Sequence, residues 1–361
     1  MSKPALPTLR IGDLEINPPI VQGGMGVRVS RAGLAAAVAN EGCAGVIATV
    51  GLGRFEDHPG SEYVRINGEG LRDEIRRART LTNGVLGVNL MVALTDYANL
   101  AAVAAAEAVD LIISGAGLPL DLPGFVAGKP IKLVPIVSSA RALNIICKKW
   151  QRAYGRLPDA VVVEGVLAGG HLGFSFEEAS EGTAPDLDTI LTEVIAVARR
   201  FEPPIPVVAA GGIFDGADIA RVLRLGAAGV QMATRFVCTD ECDVHPRFKQ
   251  AYLDARKEDI TIIRSPVGLP GRVLNNAFVE RVKRGETVPF RCAYKCLKTC
   301  SPRTVPYCIA KVLVNAAEGR LDEAFVFSGA NSYRIDRIVP VRELIAELAA
   351  DAARHLQEDD P

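Results

Sequence analysis

Glycines at 165, 169, 170 and 173 surround a single histidine, His171, directly after the β-branched run Val161-Val162-Val163. A buried strand that breaks into small residues delivers its C-terminal loop into a site, and glycines let such a backbone take φ > 0 and approach a ligand. The unperturbed pKa of histidine, about 6.5, lets it take or give a proton near neutral pH. A lone histidine can instead cap a loop in the interior, but four glycines in nine residues favour a loop built for chemistry.

Two further turns carry chemistry of another kind. Ala210-Gly211-Gly212-Ile213 and Gln231-Met232-Ala233-Thr234-Arg235 each end an apolar run. Backbone N–H groups at such turns can hold a phosphate dianion. The plainer alternative is that these glycines only permit tight strand-to-helix packing.

Cysteines supply the third pattern. Cys292, Cys296 and Cys300 are four apart and Cys308 follows, a set that would suit a tetrathiolate iron–sulfur or zinc centre. The spacing matches neither the C-x2-C zinc pairs nor the ferredoxin run, so reduced thiols in a helical segment remain the alternative. Arg291, Lys295 and Lys298 beside them would lower the thiol pKa values. Cys238 and Cys242, with His245 nearby, also invite a metal reading, but the phosphate-loop position already accounts for that region. Cys43 and Cys147 fall in apolar helical contexts and read as packing residues.

The elements that must position these groups repeat along the chain. Strands are expected near Ile20 to Gln22, Gly45 to Thr49, Val85 to Met91, Leu111 to Gly115, Ile131 to Val137, Val161 to Gly165, Pro206 to Gly212 and Gly229 to Thr234. Helices are expected between them, among them one capped by Ser30 and a charged one over Glu69 to Thr82. Eight short apolar strands alternating with helices predict an α/β fold, a closed (β/α)₈ TIM barrel with its active site at the C-terminal ends of the strands. A doubly wound sheet is the other candidate. Against it, no G-x-G-x-x-G fingerprint or G-x-x-x-x-G-K-[ST] loop follows any strand.

On this reading residues 1–257 form the barrel, 258–337 an inserted lid that carries the cysteines, and 338–361 a C-terminal helix that closes the outer ring. A structureless insertion that long is improbable, so short helices are expected around Ala277 to Arg284 and Val305 to Glu318.

The 361 residues are 49% hydrophobic and 23% charged, the balance of a globular protein with a large core. With 41 basic and 42 acidic side chains there is no electrostatic footprint for nucleic acid or an anionic membrane. The expected partner is a small molecule, with a homodimer left open. No apolar leader or membrane span is visible, which reads as a cytoplasmic chain with reduced thiols.

Five separated motifs occur in order: Pro-Ile-Val-Gln-Gly-Gly-Met-Gly (19–26), Gly-Val-Asn-Leu-Met (87–91), Ala-Gly-Gly-His-Leu-Gly (168–173), Ala-Ala-Gly-Gly-Ile (209–213) and Val-Gln-Met-Ala-Thr-Arg-Phe (230–236). Over about residues 8–257 the chain resembles the nitronate monooxygenase family, formerly 2-nitropropane dioxygenase, allied to FMN-dependent enoyl-acyl-carrier-protein reductases. The resemblance implies an FMN-binding TIM barrel. It places Gly23, Gly24 and Met25 against the isoalloxazine, Asn89 and Glu164 near the flavin, and Lys132 at its pyrimidine edge. Gly170, Gly211, Gly212, Ala233 and Thr234 would frame the ribityl phosphate, although Ala233 stands where the family most often has glycine, and Gln231 would join the cofactor-binding set. His171 matches the catalytic histidine. The implied reaction is oxidation of a small nitronate or related carbon acid with O₂; the alternative is an NAD(P)H-dependent flavin reductase acting on an enoyl thioester or a quinone.

Overall fold

The computed structural model describes residues 6–53, 62–292 and 294–358. The chain opens with a hairpin, β1 (Leu9–Ile11) and β2 (Leu14–Ile16), followed by β3 (Ile20–Gln22), α1 (Ala32–Asn40), β4 (Gly45–Ala48), α2 (Tyr63–Leu81), β5 (Leu86–Met91) and α3 (Tyr97–Ala106). Next come β6 (Leu111–Gly115), α4 (Leu122–Phe125), β7 (Lys132–Val137), α5 (Ala140–Tyr154), β8 (Val161–Glu164), β9 (Gly170–His171), α6 (Phe176–Glu181) and α7 (Leu187–Ala198). The barrel ends with β10 (Val207–Ala210), α8 (Gly216–Arg224), β11 (Gly229–Met232), α9 (Thr234–Val237) and α10 (Pro246–Leu253). Beyond it lie β12 (Ile260–Arg264), β13 (Pro270–Leu274), α11 (Ala277–Lys283), α12 (Ile309–Ala317) and α13 (Val341–Glu358).

Eight of these strands lie side by side in the order β3-β11-β10-β8-β7-β6-β5-β4, parallel wherever they pair. A parallel bridge between Val21 and Ala44 joins the two ends, so the sheet closes into the expected TIM barrel. The join is short: Gln22 N–H donates to Ala44 O at 2.9 Å and Ala44 N–H to Ile20 O at 3.0 Å. The ladder is then continued by a side chain, because Val46 N–H donates to Gln22 Oε1 at 3.0 Å.

The strands are near-continuous apolar runs because both faces are covered. Val162, Ile113, Val134 and Val208 fill the barrel interior, while Val161, Val163, Val207 and Ala209 face the helices. The same period of two turns polar side chains inward at the strand ends. Glu164 follows Val162 on its face, Asn89 sits between outward Val88 and Leu90, and Gln231 sits between outward Val230 and Met232.

The hairpin β1–β2 was not legible in the sequence pattern. Its Leu9, Ile11 and Ile16 pack into the interior cluster, and each strand is only three residues long, too short for a visible alternation. Three expectations are corrected at the residue level. Ser30 does not cap α1: the N-cap is Arg31, and Ser30 Oγ instead accepts Met25 N–H at 2.8 Å and ties off the glycine loop. Helix α2 begins at Tyr63, six residues before the expected start, because Gly68 and Gly70 are helical residues packed against Asn99 and the Leu52–Gly53 backbone rather than loop signals. Cys43 lies in the turn before β4, not in a helix, and is fully buried there. The glycine-rich loop expected between β4 and α2 falls largely at 54–61, outside the described residues.

The segment after α10 carries helices α11 and α12, and also a β-hairpin that the sequence reading lacked. β12 and β13 pair antiparallel, and β13 adds the two residues of β9, with Gly271 opposite His171 and Arg272 opposite Gly170. The final helix α13 packs on α8, where Gly216 N–H donates to Asp351 Oδ2 at 2.9 Å. No described helix is long and apolar enough to cross a membrane.

Candidate active site

Two adjoining chambers lie at the C-terminal ends of the barrel strands. The larger, with an empty volume of about 1310 Å³ that includes its open mouth, is lined by Gly23, Gly24, Met25, Asn89, Glu164, Gly170, His171, Gln231, Ala233 and Thr234. The smaller is lined by Gly211 and Gly212, and shares Glu164, Gly169, Gln231, Ala233, Thr234 and Gly329 with the larger. Every cofactor residue read from the sequence except Lys132 therefore lines one of two adjoining cavities. Gly170 lines the larger chamber beside His171 and not the smaller one, while Gly169 lines both.

Lys132 is at the other end of the barrel. It is the first residue of β7, and its Nζ pairs with Asp13 in the turn of the β1–β2 hairpin at 2.5 Å. A side chain at a strand's N-terminal end cannot reach a site at the C-terminal ends.

Gly211 and Gly212 have φ of +88° and +90°, so two successive amides are held in a conformation that side chains resist. A Cβ at Gly211 would stand 2.6 Å from Gly165 O, so the small chamber depends on glycine there. Ala233 has φ −127°, a value open to any residue, and the methyl group does not disturb the turn. Gly24 lies against the Asn89 side chain, which a Cβ would strike.

His171 is fixed from two sides. Its Nε2 shares a hydrogen bond with Ser265 Oγ at 2.8 Å, and its ring meets Phe327 edge-on with centroids 4.9 Å apart. Burial holds its pKa down to about 4, so the ring is neutral at neutral pH. Burial likewise raises Glu164 to about 7. Gln231 Oε1 is buried without a hydrogen-bond partner.

The loop carrying His171 is held by Arg272, a buried residue of β13. Its Nε donates to Ala168 O at 3.1 Å and a terminal nitrogen to Val166 O at 2.7 Å. Asn331 Nδ2 donates to Gly212 O at 2.7 Å, and Ala330 N–H to Leu167 O at 3.1 Å. Ser265, Arg272, Phe327 and Asn331 were all missed by the sequence reading. They come from the insertion, where only the small polar run Ser328-Gly329-Ala330-Asn331 could have signalled a second ligand-facing loop.

The cysteine arm packs beside this cavity. Thr95 N–H donates to Cys296 O and Lys298 N–H to Ala93 O, both at 3.0 Å, so the arm lies over the loop after β5. All eight cysteines are free thiols. Burial and the neighbouring thiols push Cys296 up to about 12, and burial first also raises Cys300 and Cys308. For Cys296, Cys300 and Cys308 the expectation that the nearby basic residues lower the thiols is thus overturned; Lys298 Nζ is engaged with Val92 O at 2.8 Å. Cys238 and Cys242 do not form a site with His245. Their thiols point at the carbonyls of Lys249 and Val29, and His245 caps α10.

A parallel β/α barrel with a lined cavity at the C-terminal ends of its strands has the layout of a barrel enzyme. The family model for nitronate monooxygenase matches residues 8–116 and 102–351, and the chain belongs to that family. It is 27% identical over 382 residues to a nitronate monooxygenase of Paraburkholderia phytofirmans, covering 96% of this chain and 95% of that protein. It is 30% identical over 268 residues to the (3aS,4S,5R,7aS)-5-hydroxy-7a-methyl-1-oxo-octahydro-1H-indene-4-carboxyl-CoA dehydrogenase of Rhodococcus jostii, covering 74% of this chain and 65% of that protein. The structure of FabK from Thermotoga maritima superposes with a TM-score of 0.74 at 27% identity, covering 94% of each chain.

Proposed function

We propose that this chain is an FMN-dependent oxidoreductase that oxidises a small nitronate or related carbon acid with O₂, and that His171 is its catalytic base. The observation that carries the reading is a histidine kept neutral on the wall of the cavity. The residues fit the cofactor. Consecutive amides at Gly211 and Gly212 suit a terminal phosphate, the orphaned Gln231 Oε1 suits a ring N–H donor, and Gly24 leaves room for a flat ring against Asn89. When bound, FMN supplies two-electron acceptance from the substrate and return of those electrons to O₂.

The chain's own residues then divide the remaining work. In the tautomer that donates Nε2–H to Ser265 Oγ, the lone pair of His171 sits on Nδ1, ready to take the acidic C–H proton of the substrate. Phe327 and the β13 backbone keep the ring from turning away. Glu164, uncharged below about pH 7, leaves the junction of the chambers without a fixed negative charge that would repel an anionic substrate.

His171→Asn should keep fold and FMN but slow substrate-driven flavin bleaching by about 10² to 10⁴ with a neutral nitroalkane. The loss should be smaller with the preformed nitronate, which has no proton to give up. An equal small loss with both substrates would remove the base role.

A second reading, an NAD(P)H-dependent reductase or dehydrogenase acting on a thioester, is favoured by the CoA substrate in the name of the Rhodococcus relative. Anaerobic mixing separates the two. Bleaching by NAD(P)H and not by propyl nitronate would select the thioester reading.

A further inference from the structure

We propose that Ser265 is a positioning residue whose hydroxyl serves His171 in either neutral tautomer, so that one ring both takes a proton from a neutral carbon acid and hydrogen-bonds the anion of such an acid. The inference rests on the reading of His171 as the base, and adds a residue from another element. Ser265 follows β12 directly and opens the turn to β13, where its N–H donates to Leu269 O at 3.2 Å and its carbonyl accepts Gly268 N–H at 2.9 Å. It is buried. β13 in turn pairs with the strand of His171: Gly271 lies opposite the histidine, and Leu172 N–H donates to Pro270 O at 2.9 Å. The turn and the ring therefore belong to one three-stranded sheet.

The turn is braced from outside that sheet by Thr299, whose Oγ1–H donates to Val267 O at 3.3 Å. Bracing is what the cysteine arm contributes here. Among the described residues no three His, Cys, Asp or Glu side chains could hold a metal ion, so the tetrathiolate centre expected from Cys292, Cys296, Cys300 and Cys308 is not formed.

A hydroxyl has one hydrogen to give and two lone pairs to offer. Val267 N–H takes one lone pair of Ser265 Oγ, at 3.3 Å. His171 Nε2, at 2.8 Å, is left with two arrangements. A bare Nε2 accepts Ser265 O–H, and the ring carries its hydrogen on Nδ1. A protonated Nε2 donates to the second lone pair, and Nδ1 is bare. Rotation of one hydroxyl exchanges the two, and Nε2 keeps its partner in both. A carbonyl in the same place would only accept and would fix a single tautomer. Nδ1 has no partner among the described residues, and the ring lines the large chamber, so Nδ1 is the nitrogen left for a ligand.

The ligand then selects the tautomer, because it shifts the equilibrium by its own differential contacts. A neutral carbon acid meets the Nδ1 lone pair. Its C–H bond breaks, the electron pair stays on the substrate as the anion, and the proton forms the Nδ1–H bond while Nε2–H stays on Ser265 Oγ. An anion that arrives already ionised meets the other tautomer, in which Nδ1–H donates to one of its oxygens. The ring need not move. Phe327 meets it edge-on, and Gly271 leaves that ring its room, since a Cβ there would stand 3.0 Å from Phe327.

The test is the nitrogen-15 spectrum of the ligand-free protein labelled at histidine, at pH 7.5. The chain has four histidines, and the signals missing from His171→Asn assign the ring. The wild type should show Nδ1 and Nε2 shifts averaged between the two pure-tautomer values; Ser265→Ala should change that ratio, and Ser265→Thr, which keeps the hydroxyl, should restore it. A wild-type ring in one pure tautomer overturns the proposal, as does a ratio that Ser265→Ala leaves unchanged. In turnover of a neutral nitroalkane Ser265→Ala should lower kcat about tenfold with little change in KM. The same substitution in the His171→Asn background should cost nothing further, and an equal loss in both backgrounds overturns the route through His171. Should Ser265→Ala not fold, the wild-type spectrum still decides. The spectrum involves no substrate, so a failed base role is told apart: it appears as an undiminished rate in His171→Asn beside an intact mixture of tautomers.

Discussion

His171 and Glu164 are moved from their ordinary pKa values in opposite directions by one cause, the removal of water from the charged form. The two shifts give two separate pH signatures. For His171 the folded value of about 4 lies below the ordinary histidine value of 6.5, so between those values the unfolded chain binds more protons. Its contribution to stability is therefore present above about pH 6.5 and is lost as pH falls toward 4. An NMR titration of the His171 ring should show a midpoint near 4; a midpoint near 6.5 would contradict a desolvated, neutral ring. For Glu164 the folded value of about 7 lies above the ordinary carboxylate value of 4.5, so the wild type loses stability as pH rises through that window. Glu164→Gln should consequently gain roughly 3 to 6 °C in Tm relative to wild type at pH 8.5 and little at pH 4.5. A constant offset at both pH values would show that Glu164 titrates normally.

Arg272 shows what the lid hairpin does for the barrel. The strand β13 pairs with the backbone of His171 itself, and the Arg272 side chain ties up two carbonyls of the loop before it. Arg272→Met leaves those buried carbonyls unpaired and should cost about 2 to 4 kcal/mol in chemical denaturation. Its kcat for substrate-driven reduction should fall while the flavin stays bound, since the Gly211–Gly212 turn is held separately by Asn331. At the opposite wall, Gly24→Ala pushes the Asn89 side chain aside and should weaken flavin binding about tenfold or more. The ratio of flavin to protein absorbance after dialysis measures that loss directly.

These elements also mark how far the sequence could be read. Most barrel strands were legible as apolar runs ending in glycine or a small residue, an ending that put Gly211, Gly212 and His171 on the cavity wall, while Gly23 and Gly24 came with the family resemblance. Lys132 was misplaced because a lysine beside a strand says nothing about which end of it carries the site. The supports of His171 were invisible for another reason. Ser265, Arg272 and Phe327 lie about a hundred residues or more beyond it and meet it only through strand pairing and packing.

At the scale of the molecule, the chain wraps a barrel with three additions: a plug at the bottom, a lid at the top and a final helix at the side. α13 buries Val341, Leu344, Ile345, Leu348 and Ala352, and packs on α8. Deleting residues from Val341 onward exposes that face and removes the Asp351 acceptor from the first turn of α8. The truncated chain should be insoluble or melt far below the full chain, measured by soluble yield and Tm; equal solubility and Tm would mean that the ring is stable without its last helix.

The seam between β3 and β4 gives the ring a preferred place to part. Seven of its junctions are ladders of two or more residue pairs, while this one rests on a single main-chain bridge and the amide of Gln22. Local opening concentrates where the fewest bonds cross. The amide of Val46 should therefore exchange with deuterium sooner than those in the middle of β6 and β8. The next residues after Gln22 are Gly23, Gly24 and Met25, so the wall that yields first is also a wall of the cavity. A closed hoop with one loose stitch beside its ligand can admit a flat, bulky guest without unfolding its other seven seams.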